Sequence, residues 1–276
     1  MTKIRLKVIP LPEKRITILA TFDDLEKALL AVSASKKINN ISAIELLDKE
    51  LIATSRKYFT EIRNFFSDDI NAGLIFEIDG TEKNTQNSLK ELLQVLEPVA
   101  KKIETGHNEE ERKKLWWMRK SASSILNRIE GSTRSLRFIE DIAVPTENII
   151  KFYREQKKIL DEYGLRTAFF GHIGSGHFHI NPRIDTRRPD FLDVVDEITK
   201  RTQKLVKELN GTMAGEHGDG ILRTPYIKLF EPELHELFLQ IKEAFDPEWI
   251  LNPGKIATKD KKQTVMNRYL FKSIYE

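Results

Sequence analysis

An α+β fold is what this sequence predicts: an antiparallel sheet with helices on one face, built from ferredoxin-like units. Two observations point there. Short β-branched and aromatic runs alternate with amphipathic stretches of helical period, and 276 residues, 40% apolar and 32% charged, suffice for one sizeable core or two small ones side by side. After a polar entry bearing Pro10 and Pro12, Arg15 to Phe22 reads as a strand, and Asp23-Asp24 caps a helix reaching about Ser35. A strand from Ile41 to Leu47 follows, then a charged helical stretch from about Asp48 to Phe66, a strand from Gly73 to Ile78, and a helix from Thr81 to about Glu104. The second pass has a helical run from Asn108 to about Ile129, a strand from Arg137 to Val144, a helix from Thr146 to Tyr163, and Arg166 to Phe170 leading into a histidine hairpin. Further amphipathic helices are expected from Pro189 to Leu209 and from Glu231 to Phe245, ahead of the turn-rich Asp246-Pro247 and Asn252-Pro253-Gly254. From Ala257 the chain is polar and basic, so residues 257–276 read as a tail beyond a domain spanning 1–256.

Composition removes several classes of function. Lys plus Arg number 45 against 42 Asp plus Glu, and the formal charge of +3 gives no strong pull toward nucleic acid or membrane. No apolar run approaches the roughly 18 residues of a transmembrane helix, and Met1 to Pro12 lacks the apolar core of a secretory signal. A cytoplasmic chain is expected, peripheral to a membrane only through a partner. The absence of cysteine excludes disulfides, thiolate zinc sites, cysteine nucleophiles and cysteine-ligated iron–sulfur clusters. Any metal must be held by His, Asp, Glu or Asn.

The run Gly171-His-Ile-Gly-Ser-Gly-His-Phe-His-Ile-Asn181 is centred between Ser175 and Gly176. A two-residue turn there pairs His172 with His179, at a Cβ separation of about 4.5–5.5 Å that lets two imidazoles share one ion. Strand periodicity puts His177 and Asn181 on that same face and sends Ile173, Phe178 and Ile180 to the core. A bare pair of histidines at this spacing fits unliganded surface residues as well. The loop Gly215-Glu-His-Gly-Asp-Gly220 surrounds a carboxylate and an imidazole with glycines that permit tight turning. Glu216 can complete a set of two histidines and one carboxylate with coordination positions left open, and His217 beside it can act as a general base. A helix cap followed by a turn explains the loop equally well. A phosphate-binding loop explains it poorly, because the Lys-Ser/Thr pair is missing.

These motifs, in this order and followed by Phe245-Asp-Pro-Glu-Trp-Ile-Leu-Asn-Pro-Gly-Lys255, resemble the C-terminal domain of FAD-linked oxidases of the vanillyl-alcohol-oxidase type. That group contains D-lactate dehydrogenase, glycolate oxidase and D-2-hydroxyglutarate dehydrogenase. Leu115-Trp-Trp-Met-Arg-Lys120 and Phe138-Ile-Glu-Asp-Ile-Ala-Val-Pro145 resemble two more of its segments, so the similarity covers roughly residues 5 to 256.

The resemblance implies that His172, His179 and Glu216 hold a divalent metal, zinc or manganese, that binds a 2-hydroxy acid. His217 then takes the hydroxyl proton and hydride passes to FAD. It implies substrate contacts from Arg119, Ser123 and Asn181, and a return of the chain toward the flavin at Asn252. Read from the residues alone, Arg119 is a solvated member of a basic helix. Departures are Ser175 for a frequent Asp, His177 for a frequent Asn, and Ile139 where D-2-hydroxyglutarate dehydrogenases carry a substrate-binding Lys. Arg134 or Arg137 is available to compensate. The FAD-binding domain of the family has no counterpart here, so the expected partners are an FAD-binding domain or subunit, a small 2-hydroxy-acid substrate and an electron-acceptor protein. The expected function is the substrate- and metal-binding part of a flavin-dependent D-2-hydroxy-acid dehydrogenase, inactive without its flavin partner. The alternatives are a ferredoxin-like regulatory module that binds a metal or hydroxy acid, and a metallohydrolase.

Overall fold

The computed structural model describes residues 3–59, 63–126, 132–230 and 232–258, apart from the side chains of 122 and 123. Residues 259–276, most of the expected tail, lie outside that set. The first four strands are β1 (Lys14–Phe22), β2 (Ile41–Asp48), β3 (Ala72–Gly80) and β4 (Lys102–Gly106). They are joined by α1 (Leu25–Ser35), α2 (Lys49–Tyr58) and α3 (Glu82–Leu96). Their order in the sheet, β4-β1-β3-β2, with antiparallel pairing throughout, is that of a ferredoxin-like unit carrying α2 as an extra element.

The sheet does not stop there. β7 (Thr167–Gly171) pairs with β2, β8 (His177–Asp185) pairs with β7, and β5 (Thr133–Ser135) and β6 (Ile142–Ala143) both pair with β8. The two expected units therefore share one sheet, eight strands among the described residues. Helices α1, α3, α5 (Ile149–Glu162) and α6 (Phe191–Glu208) bury their apolar stripes on one face, in the larger core with Phe22, Phe76, Phe152 and Phe178. The opposite face holds a smaller core, where Leu51 and Ile52 of α2 and Leu115 and Met118 of α4 (Glu109–Leu126) pack on Leu47, Ile75 and Phe170. This second layer was hidden in the sequence because both helices are strongly charged.

Helix starts follow the expected chemistry. The Asp24 carboxylate accepts from the Glu26 and Lys27 amides at the head of α1. Three elements differ from expectation, the first being α2, which ends at Tyr58 rather than near Phe66 because Phe59 is extended. α3 ends at Leu96, because Pro98 has no N–H to donate back to Gln94 and cannot carry the helix on, and the following stretch forms the charged edge strand β4 against β1. The expected strand from Arg137 to Val144 shrinks to β6, because Asp141 adopts a left-handed φ of 70° that breaks the extended run.

Asp48 closes β2 and caps α2, accepting from the Leu51 amide at 2.9 Å and from the Phe169 amide of β7 at 2.8 Å. Burial, only partly offset by those amides, pushes its carboxyl up to about 7. A carboxyl raised in the folded state keeps a proton that the unfolded chain has released, so its share of stability is largest below about pH 4 and declines as pH rises toward 7. Asp48→Asn should flatten that decline in urea unfolding measured from pH 4 to 7, while costing about 1 kcal/mol because the amide nitrogen, unlike a carboxyl oxygen, cannot accept from the second N–H group. An unchanged pH slope would refute the assignment.

Past α6 the chain forms a glycine-rich loop, the short helices α7 (Gly220–Arg223) and α8 (Ile227–Phe230), and α9 (Pro232–Phe245). Helix α9 buries no residue fully, and Leu234, Leu237, Ile241 and Phe245 form an exposed apolar stripe along it. Among the described residues no helix is long and apolar enough to cross a membrane.

Candidate metal and active site

The site sits on the α2/α4 face of the sheet, beyond the polar end of the smaller core. Its centre is the turn between β7 and β8. Phe170 pairs with His179, so the register differs by two residues from the one that pairs His172 with His179. The connection is a 3-10 turn over Ile173–Ser175 closed by Gly176 at φ 74°. Only glycine serves there, since a Cβ would lie 1.9 Å from the Val144 carbonyl oxygen. A shift of two preserves which face each side chain takes. Ile173, Phe178 and Ile180 are buried in the larger core as expected, and His172, His177 and His179 gather opposite.

One donor atom from each of His172, His177, His179 and Glu216 lies within 4.8 Å of all the others. The Nε2 atoms of His172 and His179 are each 3.4 Å from Glu216 Oε1. His179 is buried, and burial, reinforced by the neighbouring cationic groups, pushes its imidazole down to about 3. At neutral pH it therefore offers a lone pair. His177 is also pushed down by burial, against the pull of Asp141, whose Oδ1 lies 2.8 Å from His177 Nε2.

Asp141 organises the Glu216 loop. Fully buried beside β6, it accepts from the Glu216 and His217 amides at 2.9 Å each, while its own carbonyl accepts from the Gly215 amide at 2.7 Å. Burial opposes its charge, but those amides together with Arg223 and His177 hold the carboxyl below its ordinary range. Arg223 completes the clamp by donating to the Gly218 and Glu140 carbonyls. The loop passes so close that a Cβ on Gly215 would meet the His177 ring at 2.7 Å. Its geometry is that of a pinned loop rather than a free helix cap.

The other expected residues fall around this centre. His217 is exposed, with Nε2 at 3.5 Å from Glu216 Oε1 and its ring 5.8 Å from that of His179. Arg119 projects from α4 onto the Phe170 ring, 5.4 Å from its centroid, and its Nε donates to Glu45 Oε2 at 2.6 Å. Asn181 is buried on β8 with neither side-chain polar atom hydrogen-bonded among the described residues. Ser123 lies one turn beyond Arg119 on α4, and its side chain is outside the described residues. Asn252 occupies an exposed turn after α9, at φ 46°, with no hydrogen bond to the histidines among the described residues. Ser175 donates from its hydroxyl to the His172 carbonyl at 2.9 Å.

Two residues of the site escaped the sequence reading, Asp141 and Glu45. The signal for Glu45 was a lone acid inside the otherwise apolar Ile44-Glu45-Leu46-Leu47. Two imidazoles and a carboxylate on a common focus, with a neutral buried histidine among them, suit a divalent cation of the zinc or manganese type.

A family model, "FAD linked oxidases, C-terminal domain", matches residues 11–256. The chain belongs to that family. Relatives of this FAD-linked oxidase domain include the glycolate oxidase subunit GlcD of Bacillus subtilis (strain 168), 29% identical over 273 residues, covering 96% of this chain and 56% of the relative. The D-2-hydroxyglutarate dehydrogenase of Pseudomonas putida is 29% identical over 270 residues, covering 94% of this chain and 26% of the relative. The D-lactate dehydrogenase of Anaerostipes hadrus is 28% identical over 271 residues, covering 94% and 55%. The FAD-linked oxidase domain thus spans between a quarter and little more than half of these proteins. Among solved structures, 4-ethylphenol oxidase from Gulosibacter chungangensis in complex with isoeugenol superposes with a TM-score of 0.67 at 14% identity, covering 92% of this chain and 55% of that one. p-Cresol methylhydroxylase with substrate bound gives 0.66 at 16% identity, covering 91% and 54%. Both share the fold.

Proposed function

We propose that this domain is the substrate- and cation-binding part of a flavin-dependent D-2-hydroxy-acid dehydrogenase of the D-lactate or glycolate kind. The observation that carries the reading is the convergence of His172, His179 and Glu216, distant in sequence, on one focus beside a second imidazole, His217. His172, His179 and Glu216 would hold a divalent cation, zinc or manganese. When bound, the cation supplies Lewis acidity toward a 2-hydroxy acid's hydroxyl, and FAD, held mainly by a partner domain or subunit, supplies hydride acceptance. The chain's own residues do the rest. Arg119 offers its guanidinium to the substrate carboxylate, and Phe170 beneath it limits the directions that fork can take. Asn181 offers an amide whose polar atoms have no protein partner among the described residues, so a substrate oxygen relieves an unmet demand. Ser123, on the same helix as Arg119, is a further substrate contact of this reading. His217, exposed and next to the ligand Glu216, holds the proton that leaves the hydroxyl. Asn252, in the exposed turn after α9, is the flavin contact of this reading.

The partner reading gains support from α9, whose exposed apolar stripe suits burial against another protein surface. A separate electron-acceptor protein is the remaining partner of this reading. The domain is 1–256, followed by the tail 257–276, and a cytoplasmic location fits its composition. A dye-reduction assay with D-lactate or glycolate tests the proposal. The purified chain with manganese or zinc should reduce no dye, and addition of a flavin-loaded FAD-binding half should restore reduction. Hydrolytic turnover by the chain alone, or no turnover of any short 2-hydroxy acid with flavin half and cation both present, would overturn it.

A further inference from the structure

The Glu45 carboxylate is 4% exposed, between Ile44 and Leu46 on its own strand and opposite Ile75 of β3. A charge so placed is costly unless both oxygens are engaged. Here each oxygen has one donor: Oε1 lies 2.5 Å from His172 Nδ1, and Oε2 lies 2.6 Å from Arg119 Nε. The contact is set by the sheet. Leu46 pairs with Gly171 and Leu47 with Phe170, so the same register carried one step further puts Glu45 across from His172. Helix α4, packed over this face, delivers Arg119 from the other side.

We propose that Glu45 is the positioning residue that joins the cation ligand to the substrate-binding arginine. It holds His172 in the tautomer with the proton on Nδ1, which turns the Nε2 lone pair toward Glu216 and His179, and it fixes the guanidinium of Arg119 by its Nε edge. Cation focus and substrate carboxylate site are thereby set at a constant separation by one side chain on a rigid central strand. Carboxylate partners behind histidine ligands commonly set ring orientation and basicity in this way. Among the described residues the two Nη groups of Arg119 carry no hydrogen bond, so the fork remains available for substrate. The inference rests on the cation reading of the site.

Glu45→Gln tests it, because the amide keeps the shape but has one acceptor for two donors. Manganese or zinc is titrated into the purified chain by competition with a chromophoric chelator, and the His172 tautomer is read from imidazole nitrogen NMR. Glu45→Gln should weaken cation binding about 10–100-fold. It should also convert His172 from a single Nδ1–H tautomer to a mixture, with the circular dichroism spectrum unchanged. Glu45→Asp, which keeps both oxygens but falls short of reaching both donors, should lie between; it also serves if the glutamine variant fails to fold. Wild-type binding with both variants within threefold of it, or an unaltered His172 tautomer in Glu45→Gln, would overturn the role of Glu45. A wild-type chain that takes up neither cation would overturn the cation reading itself, and the proposal with it.

Discussion

Asp141→Ala should cost the fold roughly 3–5 kcal/mol, the range expected when one partner of a buried charged network is deleted. The carboxylate serves the Glu216 and His217 amides, His177 Nε2 and, at 3.9 Å, Arg223. Alanine leaves buried His177 and the two loop amides without this acceptor, while Arg223 keeps the Gly218 and Glu140 carbonyls, and each unmet group adds a desolvation cost in proportion to its burial. The residue also sits at φ 70°, a conformation that aspartate tolerates better than alanine. Thermal and urea unfolding should both register the loss, and cation uptake should vanish with it because the Glu216 loop loses its anchor. Asp141→Asn, with one acceptor oxygen remaining, should fall between alanine and wild type. A loss below about 1 kcal/mol in Asp141→Ala would show that the loop is held by other contacts.

His179→Ala and Glu216→Ala should each lower divalent-cation affinity by about two orders of magnitude or more, since each removes one of three proposed donors. Their effects on stability should diverge. His179 is buried beneath Phe170, His172 and His177, so its truncation leaves a cavity and costs about 2 kcal/mol or more. Glu216 is exposed, and its truncation should be close to neutral in the cation-free chain. Metal analysis of the purified variants, alongside melting with and without added manganese, separates the two effects. Wild-type chain should gain melting temperature with the cation, and both variants should not. Undiminished cation-dependent stabilisation in either variant would remove that residue from the ligand set.

Periodicity alone carried much of this architecture, as the first strand and its Asp24-capped helix illustrate. It placed His172, His179 and Glu216 as a candidate set because alternation in β8 and glycine density around Glu216 are local properties. What it missed was tertiary. β4 read as helix because its charged alternation only acquires meaning beside β1, and a sheet edge is not written into a strand's own residues. The extended run expected from Arg137 stops at Asp141 because a left-handed residue there is compensated by contacts with a loop some 75 positions later. Glu45 and His172 lie 127 positions apart, and only the pairing of β2 with β7 makes them neighbours. The resemblance to FAD-linked oxidases supplied what local pattern could not: the joint significance of motifs that are each ambiguous alone.

The Ile173–Ser175 turn sets a rule for how this hairpin can change over evolutionary time. A one-residue slip of β8 against β7 would drive His177 and His179 into the oily layer under α5 and send Phe178 and Ile180 toward the donors, whereas a residue gained or lost within the turn itself can be taken up there without moving either strand. Strand pairing, more than turn length, is therefore the quantity under constraint.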